Sequence, residues 1–97
     1  MTKAYWVAHI TVTNEKDYPQ YLEAAAPVYE KFGAKFLVRA GRCEGMEGNN
    51  HARNVIIEFK DYETALAAYH SPEYQHAKSF RNAFADTDFL IVEGFAE

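Results

Sequence analysis

One cysteine, three prolines and five glycines in 97 residues leave little material for a stapled, extended or low-complexity chain. Cys43 has no internal partner, so there is no disulfide framework, and the chain fits a reducing, cytoplasmic setting. Basic charge is also scarce. Ten Lys and Arg against fourteen Asp and Glu give a net charge of −4, with no cationic run, which argues against a surface that tracks nucleic acid or anionic lipid. No apolar run approaches the roughly twenty residues of a membrane span. The opening MTKAYWVAHITV has one Lys and no small-residue cleavage site, and His9 and Thr11 interrupt it, so a first strand is expected there rather than a signal peptide. Metal motifs are missing as well. His9, His51, His70 and His76 make no HExxH, no CxxC is present, and His70 and His76 fall on different sides of a helix; neither a metal site nor a haem ligand is expected, and no cofactor is implied.

What the chain does have is apolar and aromatic mass. With 48% apolar residues, seven Tyr, seven Phe and one Trp, it carries a heavy load for a single domain spanning 1–97. Those rings must crowd the core or line an interface.

Period-two alternation makes Tyr5 to Val12 a strand. Thr13 or Asn14 then caps a helix whose regular turns begin near Pro19, with Tyr18, Tyr21, Leu22, Ala25, Val28, Tyr29 and Phe32 as one stripe. Pro27 predicts a kink and Gly33 a left-handed stop. Phe36 to Ala40 is the second strand, 41–52 a loop, and Asn54 to Phe59 the third strand. Asp61 caps a short helix; Ser71 and Pro72 start another, with Tyr74, Ala77, Phe80 and Phe84 on one side. Phe89 to Gly94 is the fourth strand. The order β-α-β-β-α-β predicts an α+β, ferredoxin-like fold, a four-stranded antiparallel sheet with helices on one face.

Each strand divides into a wholly apolar set and a mixed one. Trp6/Ala8/Ile10/Val12, Phe36/Val38/Ala40, Val55/Ile57/Phe59 and Leu90/Val92 are assigned to the helix side. The other side carries Tyr5, Val7, His9, Thr11, Leu37, Arg39, Asn54, Ile56, Glu58, Phe89, Ile91 and Glu93. A solvated sheet face normally alternates cleanly to polar residues. This one is too apolar for water, and a second copy packed sheet to sheet as an isologous pair is the economical cover.

The segments AYWVAHI, DYPQY, FGAKFLVRAG, MEGNNHARNVIIEF, AAYHSPEYQ, Arg81 and IVEGF, in this order, make the chain resemble the family of domain of unknown function 1330, in the dimeric α/β-barrel superfamily. The resemblance covers nearly the whole chain. It implies a ferredoxin-like protomer and a homodimer whose sheets close into a barrel, and no particular reaction. Relatives elsewhere in the superfamily include cofactor-free monooxygenases, haem-dependent enzymes and small isomerases. Such chains often carry Asn before SPEY; here the residue is His70, which removes any role for an amide at that position.

Two function classes follow. In the first, the chain is a cofactor-independent enzyme acting on a small organic molecule, neutral or anionic, by proton transfer, isomerisation or oxygenation. His9 is then the proton acceptor, Glu58 its partner acid, and Arg39 a two-pronged clamp for an anionic group. Arg53 lines a pocket mouth or ties Glu47 across its turn. Tyr69 and Arg81 wall a pocket between helices and sheet, where the resemblance places ligands in many superfamily members. In the second, the homodimer only binds a small ligand or assembles, and the same charges set the register of the two sheets. RNA is not expected as a partner, since the third strand has Ile and Glu where stacking rings would be needed.

Overall fold

The computed structural model describes residues 2–96. The alternation read in the sequence yields β1 (Ala4–Val12) and β3 (Arg53–Phe59), which pair antiparallel at the centre of the sheet; β2 (Lys35–Arg39) flanks β3 and β4 (Ala85–Glu93) flanks β1, giving the order β2-β3-β1-β4. Helices α1 (Pro19–Lys31), α2 (Tyr62–His70) and α3 (Pro72–Phe84) cover one face, the ferredoxin-like arrangement expected.

The helix ends follow their local chemistry. Asn14 closes the turn before α1, its side-chain oxygen accepting from the Asp17 N–H at 3.1 Å. Pro19 then stands in the first helical turn, where a missing N–H costs nothing. The helix continues through Pro27, which lies on its exposed side, where water can satisfy the carbonyl that loses its partner. It stops at Gly33, φ +67°, with the Ala34 N–H reaching back to the Tyr29 carbonyl at 2.9 Å and the Gly33 N–H to Glu30. Asp61 caps α2 by accepting from the Thr64 N–H at 2.8 Å. Ser71 serves both neighbours, donating to the Ala68 carbonyl at 2.8 Å and accepting from the Tyr74 N–H at 3.2 Å.

Three expectations change. First, β4 begins at Ala85 rather than Phe89. The chain leaves α3 directly into extended backbone, and β1 pairs with it from Val12–Ala85 to Ala4–Glu93, so tertiary pairing recruits the polar run ADTD into the sheet. Second, the two faces of β4 are exchanged. Ala8 stands opposite Phe89 and Trp6 opposite Ile91, which places Phe89 and Ile91 under the helices and turns Leu90 and Val92 to the open side. Third, β2 carries a bulge at Leu37. Phe36 pairs with Ile57, but Val38 pairs with Ile56 and Arg39 with Val55, so the extra residue flips the strand halfway along. Arg39, expected on the open face, lies on the helix side.

The core is built around Trp6, 1% exposed. Its ring meets Phe59, Tyr74 and Phe89 at centroid distances of 5.0, 4.7 and 5.2 Å, and its Nε1–H donates to the Ala65 carbonyl at 2.9 Å. In α3 the buried stripe is Tyr74, Ala77 and Arg81, with Phe80 and Phe84 half-buried beside it.

Candidate functional site

Where α1 crosses the sheet, packing leaves a cavity. Its floor is Trp6, Ala8, Ile10, Val55 and Ile57; its roof is Tyr18, just before α1, with Tyr21, Leu22 and Tyr29 of α1; Phe36, Arg39, Arg53 and Phe89 complete it. About 30 Å³ inside is open to the centre of a water-sized molecule, room for roughly two waters. Half-buried Leu22, Tyr29 and Phe36 and exposed Arg39 mark the side that faces solvent.

Two arginines reach this cavity because of strand register. Arg53 stands opposite Ile10, hence on the helix face, and its guanidinium lies 5.6 Å from the Tyr18 ring centroid. Arg39, turned inward by the bulge, lies over the Phe36 ring at 4.2 Å. A third, Arg81, is 4% exposed and sits behind the roof, 5.8 Å from the Tyr21 ring and 5.3 Å from Phe89. The ion pairs of the described residues are Lys3–Glu58, Lys31–Glu73 and His51–Asp88. Among the described residues, none of the three arginines therefore has a carboxylate within ion-pairing distance.

The phenols are held neutral. Burial raises the Tyr18 pKa, with Arg53 pulling the other way, and pushes Tyr29 up to about 12. Burial raises Tyr21 and Tyr74 further, and their hydroxyls bond each other at 2.7 Å. Burial alone would lower the Arg81 pKa, but the neighbouring Tyr74 and Tyr21 outweigh it and keep the guanidinium charged. The wall phenols Tyr18, Tyr21 and Tyr29 thus keep their protons; no Asp, Glu or His lines the cavity among the described residues.

A measurable consequence follows for alkaline solution. In the unfolded chain Tyr18, Tyr21, Tyr29 and Tyr74 ionise near 10; in the folded chain their pKa values are higher. Below pH 10 both states hold these protons, so the phenols add no pH dependence. Above it the unfolded chain releases protons that the folded chain retains, and stability falls as pH rises. Phenolate absorbance should fall short of the seven-tyrosine amplitude until a cooperative alkaline unfolding releases the remainder. A smooth titration of all seven with the fold intact would contradict this burial.

The remaining sequence-derived candidates lie elsewhere. His9 is exposed on the open face, donating from Nδ1 to the Asn54 Oδ1 at 2.7 Å. Glu58 pairs with Lys3 at 3.0 Å. They share a face, but His9 stands opposite Asn54 and Glu58 opposite Tyr5, four strand positions or roughly 13 Å apart. One chain does not bring them together. Arg53 does not tie Glu47, because its register sends it beneath α1, although Gly48 does adopt the expected left-handed backbone, φ +76°. Tyr69 packs against Trp6, Tyr74 and Phe89 and walls no part of the cavity.

Two features were missed. The Tyr18/Tyr21/Tyr29 hydroxyls were read only as an apolar stripe; three tyrosines where leucines would pack was the available signal. On the open face, His51 Nδ1 meets the Thr11 hydroxyl at 2.8 Å and its Nε2 meets Asp88 at 3.0 Å. These bonds fasten the end of the 41–52 loop to β1 and β4.

The family pattern of domain of unknown function DUF1330 matches residues 3–95. The chain belongs to the DUF1330 family. Curated proteins contain no significant match to the sequence. Among solved structures, this DUF1330 chain is similar to RPA0582, a protein of unknown function from Rhodopseudomonas palustris, at 14% identity and TM-score 0.76, over 99% of this chain and 85% of that one. A dimeric ferredoxin-like protein of unknown function from Jannaschia sp. CCS1 matches at 14% identity and TM-score 0.67, over 97% and 99%. SnoaB, a cofactor-independent oxygenase from Streptomyces nogalater, matches at 13% identity and TM-score 0.61, over 100% and 97%. At such identities the likeness is one of fold.

Proposed function

We infer that this DUF1330 chain works as a homodimer, sheet to sheet, and that each protomer binds a small organic molecule in the cavity beneath α1. The cavity carries the reading: an apolar floor, an aromatic roof and a few polar groups at fixed positions are the usual make-up of a small-molecule site. For the dimer, support comes from the open face. Val38, Ile56, Val7 and Leu90 stand in one cross-strand row spanning all four strands, with Leu90 51% exposed. The dimeric Jannaschia protein shares this fold.

A catalytic reading uses the same cavity. Its walls supply donors and no base, so what they favour chemically is an anion already formed from the substrate, such as an enolate or phenolate. Cofactor-independent oxygenation, the chemistry named for the structurally similar SnoaB, is the version of the enzyme reading that this donor set supports. General acid–base catalysis by His9 and Glu58 would need groups from a second protomer.

The test is Ala8→Val. Ala8 lies on the floor, 5% exposed, and two added carbons would occupy the free space; overpacking should cost on the order of 1–3 kcal/mol. In a thermal-shift screen of small aromatic and aliphatic acids, amides and lactones, the unaltered chain is expected to respond to some members and Ala8→Val to none. A shift that survives in Ala8→Val would place binding elsewhere.

A further inference from the structure

Buried polar atoms in folded proteins nearly always have partners, and each exception calls for a cause. In this chain the described residues contain four such side-chain atoms without one: Tyr18 Oη, Arg53 Nε, Arg81 Nε and Thr87 Oγ1. They are not scattered. Arg53 and Thr87 stand on either side of Ile10 in one cross-strand row on the helix face, their Cα atoms about 10 Å apart. Tyr18 comes down from the start of α1 against Arg53, close enough for the guanidinium to act on the phenol electrostatically, yet Tyr18 Oη and Arg53 Nε are each left without a partner in hydrogen-bonding geometry. Arg81 approaches from α3 behind Tyr21 and Phe89.

This end of the sheet therefore gathers two guanidinium groups, a neutral phenol and a hydroxyl, with no carboxylate among the described residues paired to either arginine. Left uncompensated, a buried charge such as that of Arg81 is costly, and half-buried Arg53 carries a smaller cost of the same kind. Aromatic faces offset part of the cost through cation–π contact, but they satisfy no N–H. The N–H groups call for an acceptor, and a negative one would also offset the arginine charge; two of the four atoms belong to residues that line the cavity, Tyr18 and Arg53.

We propose that the cavity selects an organic anion, with a carboxylate or enolate oxygen accepting from Tyr18 Oη–H and Arg53 Nε–H. Arg39 stands at the mouth and meets the anion on entry. Arg81 makes no contact with the ligand and acts as a positioning residue, adding positive potential through Tyr21. The small free volume favours a compact head group such as a carboxylate at the inner end, with any apolar remainder directed past Leu22 and Tyr29. This rests on the binding reading given above and narrows it to one charge class.

Matched pairs that differ in charge alone test it: acetate against acetamide, and benzoate against benzamide. Thermal shift and calorimetric titration are run on the full chain, the unaltered protein beside Tyr18→Phe, Arg53→Gln and Ala8→Val. The carboxylates should raise the melting temperature by several degrees at saturating concentration, roughly 5 °C, and the amides should not. Tyr18→Phe removes one oxygen atom and should weaken benzoate about tenfold or more, as loss of a hydrogen bond to a charged group does. Arg53→Gln should remove the preference for the acid over the amide. Benzoate binding should also fall in acid as the ligand's own carboxyl takes up its proton. Equal shifts from acid and amide would overturn the anion assignment while leaving the binding reading in place. So would a benzoate response unchanged by both Tyr18→Phe and Arg53→Gln. No shift from any of the four compounds, or shifts that persist in Ala8→Val, would overturn the binding reading itself. Should Arg53→Gln fail to fold, Tyr18→Phe, with only a hydroxyl removed, carries the decision.

Discussion

Trp6→Ala should take away a large share of the stability of the chain. The indole is almost wholly enclosed and touches the rings of Tyr29, Phe59, Tyr69, Tyr74 and Phe89. Through these it joins α1, β3, α2, α3 and β4 to β1 at one point. Truncating a buried Trp or Phe to Ala costs about 3–5 kcal/mol, and here the Ala65 carbonyl also loses its donor. Domains of this size hold roughly 5–15 kcal/mol in total, so the loss is at least about a fifth of the whole and, toward the low end of that range, most of it. The melting temperature should fall by roughly 15 °C or further. Urea denaturation at fixed protein concentration measures the loss directly. Trp6→Phe separates the two contributions, because it keeps a ring and gives up only the N–H and part of the volume. A deficit for Trp6→Ala smaller than about 2 kcal/mol would mean that the surrounding rings close over the gap and that the core is not organised on this residue.

Most of this architecture was legible in the sequence because it is local. Asp61, Ser71, Pro72 and Gly33 act within one turn of their own backbone, and each ends or starts a helix where expected. The alternation in β1 and β3 likewise names its own core face. What was not legible depends on pairing between distant segments. Leu90 and Val92 are as apolar as Phe89 and Ile91, so composition cannot say which pair faces inward; only the register against Trp6 and Ala8 decides. The bulge at Leu37 has no marker in FLVRA, yet it alone moves Arg39 from the open face to the cavity. The site suffered most for this reason. Arg39, Arg53 and Arg81 were singled out as ligand-facing residues, and the fold sets them around one region, Arg53 by plain alternation from Val55 but Arg39 only through the bulge, which period-two reasoning cannot supply. His9 and Glu58 were grouped by face alone, and the register separates them.

The open face supplies the second large effect. Leu90→Lys should convert a dimer into a monomer with little change in the fold of the protomer. Leu90 is half exposed in the single chain, so a longer polar side chain there costs the protomer within about 0.5 kcal/mol. In a sheet-to-sheet pair the same position is covered. Its row, Val38–Ile56–Val7–Leu90, offers apolar surface and no carboxylate, the nearest acid in the chain on that face being Asp88, which His51 already engages. Two-fold symmetry buries the new ammonium twice per interface. Each would lose solvation without gaining a partner, at several kcal/mol, enough to weaken association by two orders of magnitude or more. Light scattering at micromolar concentration should then give twice 11.1 kDa for the unaltered chain and 11.1 kDa for Leu90→Lys. Glu93 lies three residues further along β4 and is exposed; Glu93→Gln makes the same one-unit change in net charge outside the row and should leave the dimer intact. If Leu90→Lys remains dimeric, the apolar row is not the contact, and the copies associate through the helices or an edge strand. If both variants dissociate, overall charge rather than this row governs assembly. The anion site beneath α1 lies on the opposite side of the sheet, so the monomeric variant should still bind benzoate, and any loss of binding there would show that the cavity depends on its twin for shape.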